Sequence, residues 1–237
     1  MSRTSMDMTR GSLKKQILFF SIPLMLSNLL QVLFNMSDIA VIGQFAGAMS
    51  LGAVGSTTTL ISMYTGFLIG LSGGINVLTA LYIGARNRKS VSETVHSAFL
   101  VSLAVGLILL ILGVSTSRGV LVLLNTKEEL IDKAALYIRI YFLGIPALAL
   151  YNFGNAVFSA AGDTGRPLRY LFLSGIVNVI LNLFFVIVCK LDVVGVALAS
   201  ALSQCLSAFL IVMALFRSHE DFGLHLAKLR LSKDKAQ

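Results

Sequence analysis

Apolar residues gather into six runs along this chain, near 17–42, 54–83, 93–114, 133–158, 168–189 and 194–216. A helix needs roughly 20 residues to cross a bilayer, and each run supplies them. Turn chemistry separates the runs. Gly43 to Gly47 follows the first, Gly84-Ala85-Arg86-Asn87 the second, and Gly162-Asp163-Thr164-Gly165-Arg166-Pro167 the fourth. Asp163 or Thr164 is placed to cap the fifth helix, with Pro167 in its first turn. The pattern predicts an all-α, polytopic transmembrane bundle of six spans.

Polar residues inside the runs fall on stripes. Asn28, Gln31, Asn35 and Asp38 are spaced 3, 4 and 3 apart, which puts them on one helix face. The fourth run carries Tyr141, Asn152, Asn155 and Ser159 on nearly one face, and Pro146 is positioned to kink it. The fifth carries Ser174, Asn178 and Asn182, and the sixth Ser200, Ser203, Gln204 and Ser207. Each amide alone reads as an interhelical hydrogen bond. Together the stripes predict a hydrated central cavity. Ser62, Gly66, Gly70 and Gly74, each four apart, read as a ridge for close helix packing.

Asp38 is the acid inside the first run. A bare carboxylate in hydrocarbon costs several kcal/mol, so such a residue takes a proton, a cation or a neutralising partner. Arg139 and Lys133, near the end of the fourth run, read as snorkelling side chains. His96 reads as interfacial, and His219 and His225 as solvated.

Composition agrees with a membrane protein. Hydrophobic residues make up 56% and charged residues 13%, a balance soluble domains rarely show. The net charge of +8 suggests nucleic acid at first sight. The charges are confined to short gaps between runs, which favours a topology signal over a phosphate-binding surface. Fourteen of the nineteen Lys and Arg residues fall on one side: the N-terminal tail, residues 86–89, residues 166–169 and the C-terminal tail. By the positive-inside rule both termini are expected to be cytoplasmic. Residues 1–16 then form a cytoplasmic tail, 17–216 the six-helix unit, and 217–237 a basic cytoplasmic tail or a linker, with Leu224, Leu226, Leu229 and Leu231 scattered in it. Cys189 and Cys205 lie in apolar runs and read as small hydrophobes. No nucleotide loop, nucleophile elbow or zinc motif is present, so the chain does not read as an enzyme.

Several segments resemble one family. The run Asn35-Met-Ser-Asp38-Ile-Ala-Val-Ile-Gly43 is similar to the end of the first helix of multidrug and toxic compound extrusion (MATE) transporters. Gly162-Asp-Thr-Gly-Arg-Pro167 resembles that family's fourth–fifth loop, Asn178-Val-Ile-Leu-Asn182 its fifth-helix motif, and the stretch Gly195 to Gln204 its sixth helix. Ser21-Ile-Pro23 and Gly70-Leu-Ser-Gly-Gly74 also fit. The resemblance implies one lobe of a twelve-helix antiporter that exports drugs or organic cations against protons or sodium. It implies no other cofactor. Its partners would be membrane lipids, the exported molecules and a second six-helix lobe, either covalent or recruited by dimerisation.

Carried over by position, Asp38 matches the acid that binds the coupling cation, with Asn178 beside it; these two would hold sodium. Asn182 stands where many members have Asp, and Ser200 where many have Thr. Tyr141 and Asn152 fall on the cavity-facing fourth helix, and Asn28, Gln31, Asn35 and Gln204 complete the expected cavity. Losing one negative charge at 182 weakens a sodium site and leaves the ion open. Two other readings stand beside this one: a flippase for lipid-linked oligosaccharides from a related group, and a non-transporting membrane fragment.

Overall fold

A computed structural model of the chain describes residues 13–218 and 222–224. His219, His225, Leu226, Leu229, Leu231 and most of the two tails lie outside the described residues. The described part is helical: α1 (Leu13–Phe45), α2 (Gly47–Gly84), α3 (Arg88–Leu123), α4 (Glu128–Phe142), α5 (Ile145–Ala160), α6 (Gly165–Leu183) and α7 (Asp192–Phe216). A π-helical turn, Phe184–Val188, extends α6. Five helices are long and apolar enough to cross a membrane, and the bent α4–α5 pair supplies a sixth span.

The connections follow local chemistry. Gly47 and Gly162 take φ of +85° and +82°, the left-handed region that favours glycine, where α1 turns into α2 and α5 into α6. Asp163 accepts the Arg166 backbone N–H through Oδ1 at 3.1 Å, and its Oδ2 lies 2.8 Å from the Arg166 guanidinium. The fifth-span start is thus capped by Asp163, with Pro167 in its first turn.

The fourth span differs from one continuous kinked helix. α4 ends at Phe142, α5 begins at Ile145, and the two meet at 47°. Pro146 is the second residue of α5, where its missing N–H costs nothing. Continued back into one helix, its ring would clash with the Phe142 carbonyl. Two glycines let the break pack tightly. A Cβ on Gly106 of α3 would lie 2.8 Å from the Pro146 Cα, and one on Gly144 would run into Gln204 and Ala201 of α7.

α2 and α3 run beyond the apolar runs that announced them, α2 through the small-residue stretch 47–53 and α3 at both ends. The Ser62–Gly66–Gly70–Gly74 ridge does not pack within the bundle. All four residues are exposed, and a Cβ on Gly66, Gly70 or Gly74 would meet nothing within 4 Å. Lys133 does not snorkel: its ammonium donates to Asp192 Oδ2 at 2.6 Å and to the buried Ser50 Oγ at 3.0 Å, tying α4, α7 and α2 together. His96 is buried rather than interfacial, with Nδ1 at 2.6 Å from the Ser92 carbonyl oxygen.

Two apolar clusters hold the helices. One lies toward the end of the bundle opposite the basic loops and includes Ile42, Ile138, Ile145 and Val196; there Tyr64 meets Phe142 edge-on at 4.8 Å. The other lies at the basic end and includes Phe153, Phe158, Ile211 and Leu215. Phe222 and Leu224 join the second cluster, and the Leu224 N–H donates to the Leu215 carbonyl at 3.1 Å. That stretch of the basic tail is packed against the helices. Large apolar side chains such as Met25, Met36, Ile108 and Ile111 stay exposed, as a lipid-facing surface requires. Both cysteines are free and exposed among them.

Candidate functional site

α1, α6 and α7 converge on Asp38. The close approach of α1 to α6 depends on Gly175, where any Cβ would occupy the ring of Phe34. The π-helical turn and α7 approach in the same way, since a Cβ on Gly195 would lie 2.9 Å from the Phe185 Cβ. Glycine at these two positions brings the polar stripes of three helices into contact.

Asp38 is 8% exposed and is held by neutral donors. Asn182 donates through Nδ2 to Asp38 Oδ1, and the Ser200 hydroxyl donates to Oδ2 at 3.1 Å. The same Asn182 amide donates to Asn178 Oδ1 at 3.1 Å, as the four-residue spacing on α6 permits. Asn178 Nδ2 then donates to Ser203 Oγ at 3.3 Å and to Ser200 Oγ at 3.5 Å. The result is a closed polar network with one carboxylate. Its loose end is Asn182 Oδ1, a buried acceptor with no hydrogen-bond partner among the described residues.

A cavity of about 320 Å³ opens beside this network. Asp38, Asn178, Ser200 and Ser203 line one wall, and Gln31, Asn35, Tyr141 and Gln204 extend the polar lining. Phe34, Ile61, Ile69, Leu148 and Leu171 supply apolar wall, and among the described residues Asp38 is the one ionisable acid or base in the lining apart from tyrosines. Asn28 is exposed and does not line the cavity. Asn152 is buried and turns back on its own helix, donating to the Leu148 carbonyl at 3.0 Å. Asn182 sits behind the wall, wholly buried, and reaches the cavity only through Asp38 and Asn178.

Other lining residues were not assigned to the site from sequence. Ser203 and Ser207 lay on the sixth-run stripe and carried that signal. Ser62 and Gly66 looked like packing residues but face the cavity. Tyr151 lines it too, and its hydroxyl donates to the Pro167 carbonyl at 3.3 Å; nothing in the spacing singled it out.

The comparison with known families decides the assignment, because the MatE family model matches residues 23–184. The chain belongs to the MatE family. It is 32% identical over 198 residues to the probable multidrug resistance protein YpnP of Bacillus subtilis (strain 168), covering 84% of this chain and 44% of that protein. Its fold matches a crystal structure of MATE in the bent conformation with a TM-score of 0.88 and 26% identity, covering 94% of this chain and 50% of that one. It also matches the outward-facing conformation of a multidrug resistance MATE family transporter of the MOP superfamily, with a TM-score of 0.88 and 25% identity over 98% of this chain and 51% of that one. The chain spans about half the length of the relatives it matches. The six spans of this MatE chain therefore correspond to one lobe.

Proposed function

We propose that this MatE chain forms the N-terminal lobe of a cation-coupled antiporter that exports drugs or organic cations. The observation that carries the reading is Asp38: a buried carboxylate, held by neutral donors, at the wall of a cavity lined by no lysine or arginine among the described residues. A proton or a sodium ion neutralises such a group, and so does an organic cation in the cavity. Competition between the two for one charge couples uptake of the ion to release of the cargo. Sodium takes oxygen ligands, which Asp38, Asn178, Asn182 and Ser200 supply; a proton needs Asp38 alone. Phe34, Tyr141 and Tyr151 offer aromatic faces to a flat cationic cargo. An anionic lipid-linked sugar fits the cavity poorly, since no cationic side chain among the described residues lines it.

Export requires alternating access, in which two lobes rock around a central path. A second six-helix lobe, covalently attached or recruited by dimerisation, meets the exposed polar faces of α1 and α2. The lobe sits in the plasma membrane with both termini in the cytoplasm. Reconstitution in liposomes with an imposed proton or sodium gradient tests the reading. A fluorescent organic cation is exported when a partner lobe is present and not by the monomeric chain. Export by a demonstrated monomer rejects the two-lobe mechanism, and export unaffected by Asp38→Asn rejects the coupling role.

A further inference from the structure

Hydroxyls within this bundle mostly satisfy themselves. Ser27, Thr57, Thr65, Ser72, Ser174 and Ser207 each donate to a carbonyl three or four residues earlier on their own helix. Thr79 on α2, Thr94 on α3 and Ser159 on α5 do not. Their exposures are 0%, 2% and 7%, and their hydroxyl oxygens are buried without a hydrogen-bond partner among the described residues.

Helix register places these three at one level. Asn76 Nδ2 donates to the Ala156 carbonyl at 2.9 Å, which fixes α2 beside α5, both running toward the basic end. Three residues further along each helix stand Thr79 and Ser159. The Phe99 and Phe153 rings meet at 5.8 Å, which fixes α3 antiparallel to α5. Five residues toward the basic end from Phe99 is Thr94, and six from Phe153 is Ser159. At 1.5 Å rise per residue these positions agree in depth to within about 2 Å. The short turn at residues 85–87 brings Thr94 opposite Thr79 as well.

Three buried hydroxyls at one depth on the mutually packed α2, α3 and α5 are costly if dry, since each orphaned group forfeits its hydration. We propose that Thr79, Thr94 and Ser159 together hold an internal water molecule at the α2–α3–α5 junction. A water both donates and accepts, so it satisfies hydroxyls that approach from three helices, and three partners are what a buried water typically has. A metal cation is the weaker fit. The three ligands are neutral, and the neighbouring Glu93 is turned outward toward Lys89 at 3.9 Å. The water would tie the inner third of α2, whose other face is the exposed ridge, to the two helices behind it.

Thermal unfolding of the purified chain in detergent tests this, independently of transport. Thr79→Val, Thr94→Val and Ser159→Ala each lower the midpoint, because each leaves the water and the remaining hydroxyls short of a partner. The triple variant loses less than the sum of the three, because one shared water is lost once. Thr79→Ser and Thr94→Ser, which keep the hydroxyl, stay near the parent. Single variants at or above the parent midpoint would overturn the proposal, since a methyl in place of a dry orphan hydroxyl stabilises. A parent midpoint that rises with sodium over potassium, and a triple variant that shows no such rise, would overturn it in favour of a cation. Should the valine variants fail to fold, a high-resolution crystal structure of the parent decides. Density within hydrogen-bond distance of the three oxygens supports the site, and a dry contact rejects it.

Discussion

Asn182 donates its side-chain amide to Asp38 across 144 positions of sequence, and both residues are buried. The contact joins α6 to α1 at the point where the one cavity acid sits. It also makes the site singly charged, because an amide stands where a second acid would double the charge. Asn182→Asp puts two carboxylates at hydrogen-bond distance, where a shared proton or a bound cation relieves the repulsion. The expected outcome is a sodium-dependent rise in thermal midpoint for Asn182→Asp that is smaller in the parent. Ligand linkage sets the scale, about 2.7 kcal/mol when the ion is at 100 times its Kd. An equal response to sodium in both proteins removes residue 182 from ion choice.

Asp38→Asn tests the carboxylate itself. The amide keeps the size of the side chain, its oxygen accepts from Asn182, and its NH₂ faces the Ser200 hydroxyl, which can turn from donor to acceptor. Folding is therefore expected to change by no more than about 1–2 kcal/mol. Insertion and thermal midpoint stay close to the parent, and gradient-driven efflux by the complete two-lobe assembly is lost. Asp38→Ala removes both acceptors, strands the Asn182 and Ser200 donors, and lowers stability further. A large loss of folding in Asp38→Asn with retained efflux in the survivors contradicts the assignment.

Much of this arrangement was legible in the sequence, for physical reasons. Period-3.6 polar stripes in apolar runs put Asp38, Asn178 and Ser200 inward, and hydrocarbon leaves such residues few other places. Spacing does not give depth, however. Asn28 shares a face with Asp38 but lies nearly three turns away, beyond the cavity. Asn152 has the stripe spacing, yet it satisfies itself on the Leu148 carbonyl. The glycine ridge read as packing because small residues allow close approach, but small residues also line openings. The pairing of Lys133 with Asp192 and Ser50 joins residues up to 142 positions apart (50 to 192), beyond any local pattern. The break at Leu143–Gly144 was signalled by Pro146 in kind, though the tight seating of Gly144 on α7 was not.

Topology is checked by cysteine labelling in a background with Cys189 and Cys205 replaced by alanine. Glu129 is exposed at the end opposite the basic loops and Ala85 at the basic end. Glu129→Cys reacts with a membrane-impermeant maleimide on intact cells, and Ala85→Cys reacts only after permeabilisation. The basic residues decide this direction through the positive-inside bias. The reverse pattern inverts the orientation. Ser50 is unsuitable as a probe, because it is buried under Lys133.

The Lys133–Asp192 pair is half-buried, with side-chain exposures of 39% and 34%, so its worth is modest. A double-mutant cycle with Lys133→Met and Asp192→Asn is expected to give a coupling of about 1 kcal/mol. Lys133→Met is the more damaging single change, since it also removes the donor to the buried Ser50 Oγ. No measurable coupling marks the pair as incidental to stability.

Gly175 and Phe34 provide the sharpest steric test. Phe34 lines the cavity, and its ring fills the space a Cβ on Gly175 would take. Gly175→Ala therefore either pushes the Phe34 ring into the cavity it lines or forces α1 and α6 apart. Overpacking of this kind costs about 1–3 kcal/mol, and parting the helices also lengthens the Asn182–Asp38 and Ser200–Asp38 contacts. The expected outcome is a lower thermal midpoint for Gly175→Ala, recovered in Gly175→Ala/Phe34→Leu, where the smaller side chain leaves room. Phe34→Leu alone loses a little stability to the gap it opens. Additive losses in the double variant would show that the two residues do not share this space.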